Sequence, residues 1–260
     1  MKTPLSFLET RLLWACALAL LFACLGPAVA QYEHYHAFAD QRAWWGVPHA
    51  VDVLSNLPFA VGGAWGLVQL WRYRLARSVQ RDLSALFFLG LVVTAFCSSA
   101  YHWQPGDGGL AIDRLGMVAA FAGLLGLAVA DRVSDRAGVA TMAAVLVCGP
   151  YAVGVWVFSG NLLPWAVLQG GGMLLMVLLA MGRPVAGAWG LPLGVVVALY
   201  ALAKLLELGD HSVFAWTAGW VSGHSLKHVV AAMVAWPVLG CVARQRGPIA
   251  PHVMTSQYSV

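Results

Sequence analysis

The chain has 260 residues, of which 60% are hydrophobic and only 10% are charged. Soluble domains carry about 25% charged residues, so this composition excludes an ordinary water-soluble domain and indicates a protein that lies in lipid. The formal net charge of +4 does not indicate nucleic-acid binding, because the basic residues lie in short loops between apolar segments.

The first 30 residues are apolar and have two open interpretations. Basic residues precede an apolar run over 12–25, and Ala28-Val29-Ala30 is typical of a signal-peptide cleavage site. The alternative is a retained extra helix, which Glu9 favours because an acidic residue weakens the signal-peptide pattern. The sequence therefore predicts either a signal peptide or an extra N-terminal helix at this end.

Seven further apolar segments are each long enough to cross about 30 Å of hydrocarbon. They lie near 50–71, 83–104, 112–130, 138–158, 161–181, 186–206 and 219–242. The predicted fold class is all-α: a polytopic membrane protein with a seven-transmembrane-helix bundle plus the N-terminal hydrophobic helix. The bundle is predicted to occupy residues 31–243, and a tail follows over 244–260.

The arginines predict the orientation, because positively charged loops tend to stay in the cytoplasm. Loops near 105–111, 159–161 and 207–218 contain no lysine or arginine. The alternate loops and the tail contain Arg72, Arg74, Arg77, Arg81, Arg132, Arg136, Arg183, Arg244 and Arg246. The sequence therefore predicts a cytoplasmic C-terminus and residues 31–48 on the periplasmic or luminal face. Twelve arginines against three lysines favour a bacterial host, and hence an inner membrane.

Five polar residues within or beside the predicted spans are candidate functional residues, because ionisable groups at membrane depth are costly and usually functional. They are Ser98, His102, Asp113, His224 and His228. The second span runs toward the outer face, whereas the third and seventh run away from it. All five residues are therefore predicted at similar depth, near the outer face.

This set of side chains matches the chemistry of a catalytic zinc site. His224 and His228 are four residues apart, so they share one helix face, and His102 would complete a three-histidine site with an open fourth position. Asp113 is the candidate general base or partner of a ligand histidine. Ser98, one turn before His102, is the candidate donor to an oxyanion. The five cysteines form no CxxC pair, which excludes a thiolate site of that kind.

Each of these residues also has a structural interpretation when taken alone. An HxxxH pair is a weak motif, and Ser98 alone would be a helix-packing serine. Asp113 alone would be a helix N-cap. These separate structural interpretations do not explain why all five residues are predicted at the same depth in the membrane.

Other polar and aromatic residues on the outer side have structural interpretations as well. Lys204 and Glu207 are predicted to form an ion pair, with Glu207 or Asp210 near the site as the alternative. Exposed loop positions are predicted for His34, His36, His49 and His211. Interfacial positions are predicted for Trp44, Trp45, Trp103, Trp165, Trp216 and Trp220.

With these residues in this order, the chain resembles the alkaline ceramidase family, within a group of seven-helix membrane hydrolases that includes the adiponectin and progestin receptors and the Per1-like proteins. The shared positions are Ser98, His102, Asp113, His224 and His228. A ceramidase stretch of aspartate, acidic residue, Leu, Pro and Met corresponds here to Asp113-Arg114-Leu115-Gly116-Met117, and a Ser-Asn pair to Ser55-Asn56. The chain departs from the pattern at Arg114 and at Gly116. It also departs at Lys227, a position at which eukaryotic ceramidases have an aromatic residue.

The resemblance implies zinc-dependent hydrolysis of the amide bond of ceramide or a related N-acyl lipid, giving a free amine and a fatty acid. The expected partner is a lipid substrate that enters from the bilayer. The family also binds calcium through an acidic N-terminal stretch; here Glu33, Asp40 and Asp52 are nearby, at a different spacing. The alternative is a non-catalytic membrane receptor or transport protein of the same fold.

Overall fold

The computed structural model describes residues 4–245, and this part of the chain is built from helices. In chain order they are α1 (Phe7–Leu25), α2 (Ala50–Leu54), α3 (Leu57–Arg72), α4 (Val79–Trp103), α5 (Asp107–Arg132), α6 (Asp135–Ser159), α7 (Leu163–Ala180), α8 (Leu193–Leu208), α9 (Asp210–Trp216), α10 (Gly223–Ala232) and α11 (Ala235–Arg244). The predicted all-α fold is confirmed. Residues 246–260 of the predicted tail lie outside the described residues.

Seven helical segments within residues 4–245 are long and apolar enough to cross a membrane. They are α1, α2 with α3, α4, α5, α6, α7, and α10 with α11. The chain is thus an integral membrane protein. The predicted sixth span is shorter than expected: α8 has 16 residues and begins only after Pro192. The preceding Gly187 and Gly190 adopt φ of +78° and +70°, a left-handed conformation that no regular right-handed helix contains.

Two of the spans are interrupted, the first near its start and the last near its middle, and a proline accounts for each break. A proline ring inside a helix clashes with the carbonyl group four residues earlier. Pro58 therefore ends α2 at Leu54, and Pro237 interrupts the last span near Met233. The first break leaves Ser55 and Asn56 between α2 and α3, where their side chains can bond to groups other than the helix.

The long helices form a closed ring in which each packs on the next. Helix α3 packs on α4, α4 on α5, α5 on α6, α6 on α7 and α7 on α8. Helix α8 packs on α10, and α11 returns to α3, which closes the ring. The ring leaves an interior into which several helices point side chains, and this interior holds the cavity described below.

Helix α1 lies outside the ring against α7 and is fixed at both ends. At its start, Glu9 accepts hydrogen bonds from Ser134 Oγ (2.6 Å to Oε1) and from Arg136 Nη2 (2.6 Å to Oε2). After its end, the backbone N–H of Val29 donates to Asn161 Oδ1 at 3.1 Å. The helix therefore runs along the full height of the bundle.

Short connections make successive long helices antiparallel, so the bundle has two different ends. The arginine end carries the loops after α3, α5, α7 and α11. The opposite end, called the histidine end, carries the candidate site residues. Residues 31–49, called the cap segment, cross the histidine end before the chain enters α2.

Candidate metal centre and cavity

Three histidines from two helices meet at the histidine end of the bundle. His102 lies in the last turn of α4, and His224 and His228 lie on one face of α10. Their ring centroids are 4.8 to 4.9 Å apart in all three pairs. One ring nitrogen from each lies within 4.8 Å of the others, and all three side chains are buried. This buried group could hold a metal ion.

The hydrogen bonds of His228 leave one of its ring nitrogens free to face the group. Ser55 Oγ donates to the Asp52 carbonyl oxygen at 2.8 Å, so it accepts from His228 Nδ1, which is 2.7 Å away. With the proton on Nδ1, Nε2 of His228 keeps its lone pair. A histidine that donates its other N–H in this way has the usual arrangement of a metal ligand.

His224 and His102 approach each other directly. Their Nε2 atoms are 3.2 Å apart, and His102 Nδ1 is buried without a hydrogen-bond partner among residues 4–245. Lys227 Nζ lies 3.1 Å from His224 Nε2 and can donate to it. A metal ion would need that same lone pair, so the lysine contact and a metal–nitrogen bond are alternatives at this atom.

The start of α10 is held in place by buried polar groups and a glycine. Asp210 Oδ1 accepts from the backbone N–H of His224 at 2.8 Å, which satisfies a free donor of the first helical turn. Ser222 Oγ accepts from the backbone N–H of Ser225 as an N-cap. A Cβ atom at Gly223 would overlap the carbonyl oxygen of Leu206, so only glycine allows this close approach. Asp210 thus holds helix α10 in place without itself belonging to the group of three histidines.

Asp52 joins the histidine helix to the first span. It is fully buried, and its Oδ1 accepts from Ser225 Oγ at 2.6 Å and from Ser222 Oγ at 3.3 Å. The Oδ2 atom has no hydrogen-bond partner within the described residues. Asp52 therefore fixes α10 against α2, on the same side of the group as Ser55.

The cap segment covers the three histidines. Phe38 is buried, and its ring centroid lies 4.5 Å from that of His224 and 4.8 Å from that of His102. The backbone N–H of Ala39 donates to Asp210 Oδ2 at 2.9 Å, which holds this part of the segment down. An apolar ring lies over two of the three imidazoles and screens them from the water outside.

An ion pair between the partly exposed Arg42 and the buried Asp40 fixes the next part of the cap segment. Arg42 donates to both carboxylate oxygens of Asp40, at 2.8 and 2.6 Å, and to the carbonyl oxygen of Trp220 at 2.9 Å. Burial favours the neutral acid, but the hydrogen bonds and charge of Arg42 outweigh it and hold the pKa of Asp40 below its usual value. The cap segment is thus tied to the loop before α10.

The three carboxylates that could bind calcium lie in different environments. Asp40 pairs with Arg42, Asp52 bonds to serines of α10, and Glu33 is exposed. Within residues 4–245 the three do not form a group that could hold a metal ion.

Ser98 and Asp113 lie close together across the α4–α5 interface, and both line the cavity described below. A Cβ atom at Gly116 would lie 2.5 Å from Cys97 Cβ, so this glycine allows the two helices to approach closely. Helix α5 begins at Asp107, six residues before Asp113. The prediction that Asp113 opens the span is wrong, and with it the N-cap interpretation, because Asp113 lies well inside the helix.

Lys204 and Glu207 form the predicted ion pair, with Nζ 2.5 Å from Oε2. Glu207 Oε1 also lies 3.2 Å from Lys227 Nζ, so the pair belongs to a row of three charges. Lys227 also contacts His224, so the row of charges reaches the histidine group. Only Lys227 lies between Glu207 and the histidine group, so Glu207 is near the site, as the alternative interpretation predicts.

An elongated cavity of about 210 Å³ extends from these polar groups into the apolar interior of the ring. Its polar end is lined by Ser98, Asp113, Arg114, Lys204, Glu207, Lys227 and His228. Its apolar part includes Phe87, Leu91, Leu124, Leu125, Met176 and Val196. Lining residues of α5 run from Leu110 to Leu125, which is about 22 Å at 1.5 Å per residue. The shape and lining suit a hydrocarbon chain with a polar group at one end.

Several residues of this arrangement were not predicted from the sequence. The sequence pattern suggests Asp52 only as a calcium ligand, and it predicts no role for Phe38. His36 and His49 are partly buried rather than exposed, and Trp165 is buried rather than interfacial. An acidic residue inside an otherwise apolar segment was the available signal for Asp52.

Comparison with known protein families and with curated proteins finds no match to this chain. Function therefore has to be argued from the site itself.

Proposed function

We propose that this protein is a zinc-dependent membrane amidase that hydrolyses the N-acyl bond of ceramide or a related lipid. The observation that carries the proposal is the position of the buried histidine group. One of its members, His228, lines the polar end of a long apolar cavity together with Ser98 and Asp113. Three imidazoles with no thiolate suit zinc among the common metals.

The residues present fit such an ion. His228 has a ring nitrogen free for it, and His102 has one nitrogen beside His224. When bound, zinc supplies a Lewis acid that makes water nucleophilic near neutral pH. Lys227 would then keep Glu207 as its acceptor in place of His224.

The other side chains have separate tasks in the proposed reaction. An Asp113 carboxylate oxygen takes the proton from the attacking water and passes it to the leaving amine. The Ser98 hydroxyl donates to the carbonyl oxygen as negative charge develops there. The apolar part of the cavity binds the acyl chain and excludes water from it.

The rival proposal is a receptor or transport protein that uses the fold without catalysis. Helix packing and a purely structural metal require neither Ser98 nor Asp113 in the cavity wall. Their presence beside the histidine group therefore supports hydrolysis over the rival. We also propose a bacterial inner membrane as the location, with the histidine end toward the periplasmic or luminal face.

The test is release of fatty acid from N-acyl lipids by the purified full chain. The panel contains ceramide, N-acylethanolamine and N-acyl amino acids, each incubated with protein as purified, after chelation, and after zinc is restored. We expect release that chelation abolishes and zinc restores. Absence of release from every lipid by zinc-loaded protein would contradict the proposal.

A further inference from the structure

Arg114 and Lys227 are two of the positions at which the chain departs from the ceramidase pattern, and both line the cavity. The pattern has an acidic residue where this chain has Arg114, and an aromatic residue where it has Lys227. Both side chains add positive charge to the lining of the cavity. These charges bear on what the cavity binds.

Arg114 is a buried cation whose hydrogen bonding is incomplete. Its side chain is nearly inaccessible, at 4% exposure. Nη2 donates to Gln31 Oε1 at 2.5 Å, and the guanidinium carbon lies 4.2 Å from the ring centroid of Trp156. Nη1 is buried and makes no hydrogen bond of normal geometry within the described residues. A buried donor of this kind is costly unless a partner is present.

The aromatic contacts of Arg114 explain how the charge is tolerated, but they leave Nη1 unused. Trp156 and Trp165 face the guanidinium through their ring faces, which attract a cation. Within residues 4–245 no carboxylate lies within ion-pair distance of Arg114. Arg114 lines the cavity, so its positive charge can attract an anion that binds there.

Lys227 adds a second cation that is only partly compensated. It shares the single carboxylate of Glu207 with Lys204. The cavity wall holds three cations (Arg114, Lys204 and Lys227) and two carboxylates (Asp113 and Glu207), which leaves one positive charge. That excess is present before any metal charge is counted.

We infer that the polar end of the cavity binds an N-acyl lipid whose amine part carries a carboxylate, as in an N-acyl amino acid. This inference rests on the proposed amidase function and names its substrate class. The carboxylate of such a lipid is one carbon from the amide nitrogen. Arg114, Asp113 and Ser98 all line the cavity, so a ligand bound there can place its carboxylate near Arg114 and its amide near Asp113 and Ser98. The sphingoid part of ceramide is neutral and leaves the excess positive charge unpaired.

The experiment compares two ligands that differ in one group. N-palmitoylglycine and N-palmitoylethanolamine have the same acyl chain and amide, and end in a carboxylate or a hydroxymethyl group. Equilibrium binding of each is measured on the full chain in detergent after chelation, so that hydrolysis does not interfere. We expect N-palmitoylglycine to bind on the order of 10–100-fold more tightly, the range for a hydrogen bond to a charged group.

Variants assign this preference to the cavity wall. Arg114→Gln removes the charge and should bring the two dissociation constants close together, whereas Arg114→Lys should keep part of the preference. Arg183→Gln is the matched control, because it removes one charge from an exposed loop at the arginine end. It should leave the preference unchanged, which excludes a general effect of net charge on micelle partitioning.

Equal binding of the two ligands to the wild-type protein, or tighter binding of the ethanolamide, would overturn the inference. So would an unchanged preference in Arg114→Gln. If Arg114→Gln does not fold, the wild-type comparison alone decides. Release of palmitate is scored separately on zinc-loaded protein. A binding preference without any release contradicts the amidase proposal and leaves the ligand class standing, whereas release without a preference does the reverse.

Discussion

Ser55 and His228 are joined by a hydrogen bond of 2.7 Å between Oγ and Nδ1, although 173 residues separate them in the chain. The bond connects the broken first span to the last one. It also orients the imidazole, because a serine that donates to the Asp52 carbonyl has only its acceptor side left for the histidine.

Replacing this serine should weaken metal binding. Ser55→Ala removes the acceptor for His228 Nδ1, and loss of such a partner typically costs about 10–100-fold in metal affinity. Zinc affinity is measured by competition with a chelator. Ser84→Ala is the control, since Ser84 is also buried and hydrogen-bonded, to Gln80, far from the histidines. Equal loss in both variants would refute a specific role for Ser55.

Removing a histidine and removing the nearby carboxylate should have different effects. His224→Ala should lose metal and activity together, because it removes a ligand. Asp113→Asn should keep most of the zinc and lower turnover by about 10²–10⁴-fold if Asp113 is the general base. Zinc content and amide hydrolysis are measured on the same samples. Normal turnover in Asp113→Asn would exclude the catalytic role.

The serine that faces Asp113 should matter for turnover and not for metal. Ser98→Ala should keep its zinc and lose on the order of 10²-fold in turnover if the hydroxyl stabilises the oxyanion. Ser99→Ala is a neighbouring control, because Ser99 Oγ bonds to the Val53 carbonyl oxygen. A loss confined to substrate affinity would show that Ser98 only binds the substrate.

Opening the cover over the histidines should speed metal exchange. Phe38→Ala removes the ring that packs on His102 and His224. Bound zinc should then pass to an external chelator faster than in the wild type, followed with a colorimetric chelator. Tyr32→Ala, at an exposed position of the same segment, should exchange at the wild-type rate. An unchanged rate in Phe38→Ala would mean that metal leaves by another route.

The orientation in the membrane can be tested by labelling single cysteines in a cysteine-free background. Cysteines at Arg72, Arg77 and Arg183 should be protected from an impermeant reagent added to the periplasmic face. Cysteines at Asp107 and Asp210 should react with it, more slowly at the buried Asp210. Labelling at Arg77 from that face would reverse the orientation and place the histidine end in the cytoplasm.

The spans and the histidine group could be predicted because each follows from a simple rule. Apolar length predicts a span, the spacing of His224 and His228 predicts a shared helix face, and antiparallel spans bring His102 to the same depth. The start of α5 could not be predicted this way. Residues from Asp107 to Ile112 begin with an acidic residue and two glycines, which do not favour a helix, yet the helix starts there.

No comparable sequence pattern predicts the position of the cap segment or the polar contacts behind the histidines. Residues 31–49 have no helical or strand period, so nothing in their pattern predicts that Phe38 would lie on His224. Asp52 meets Ser225 across 173 residues of chain, through the packing of α10 beside α2. Such contacts depend on the packing of distant segments, which a single sequence does not specify.

The contact between Glu9 and Arg136 joins two segments that the ribosome makes at different times. The ribosome makes α1 before α6, and Arg136 follows Glu9 by 127 residues. Until the start of α6 emerges, the carboxylate of Glu9 has to remain hydrated at the membrane surface. Helix α7, on which α1 packs, comes later still. Helix α1 is therefore made before both of the segments that hold it, and it can dock only after the ring helices from α3 to α7 have been made.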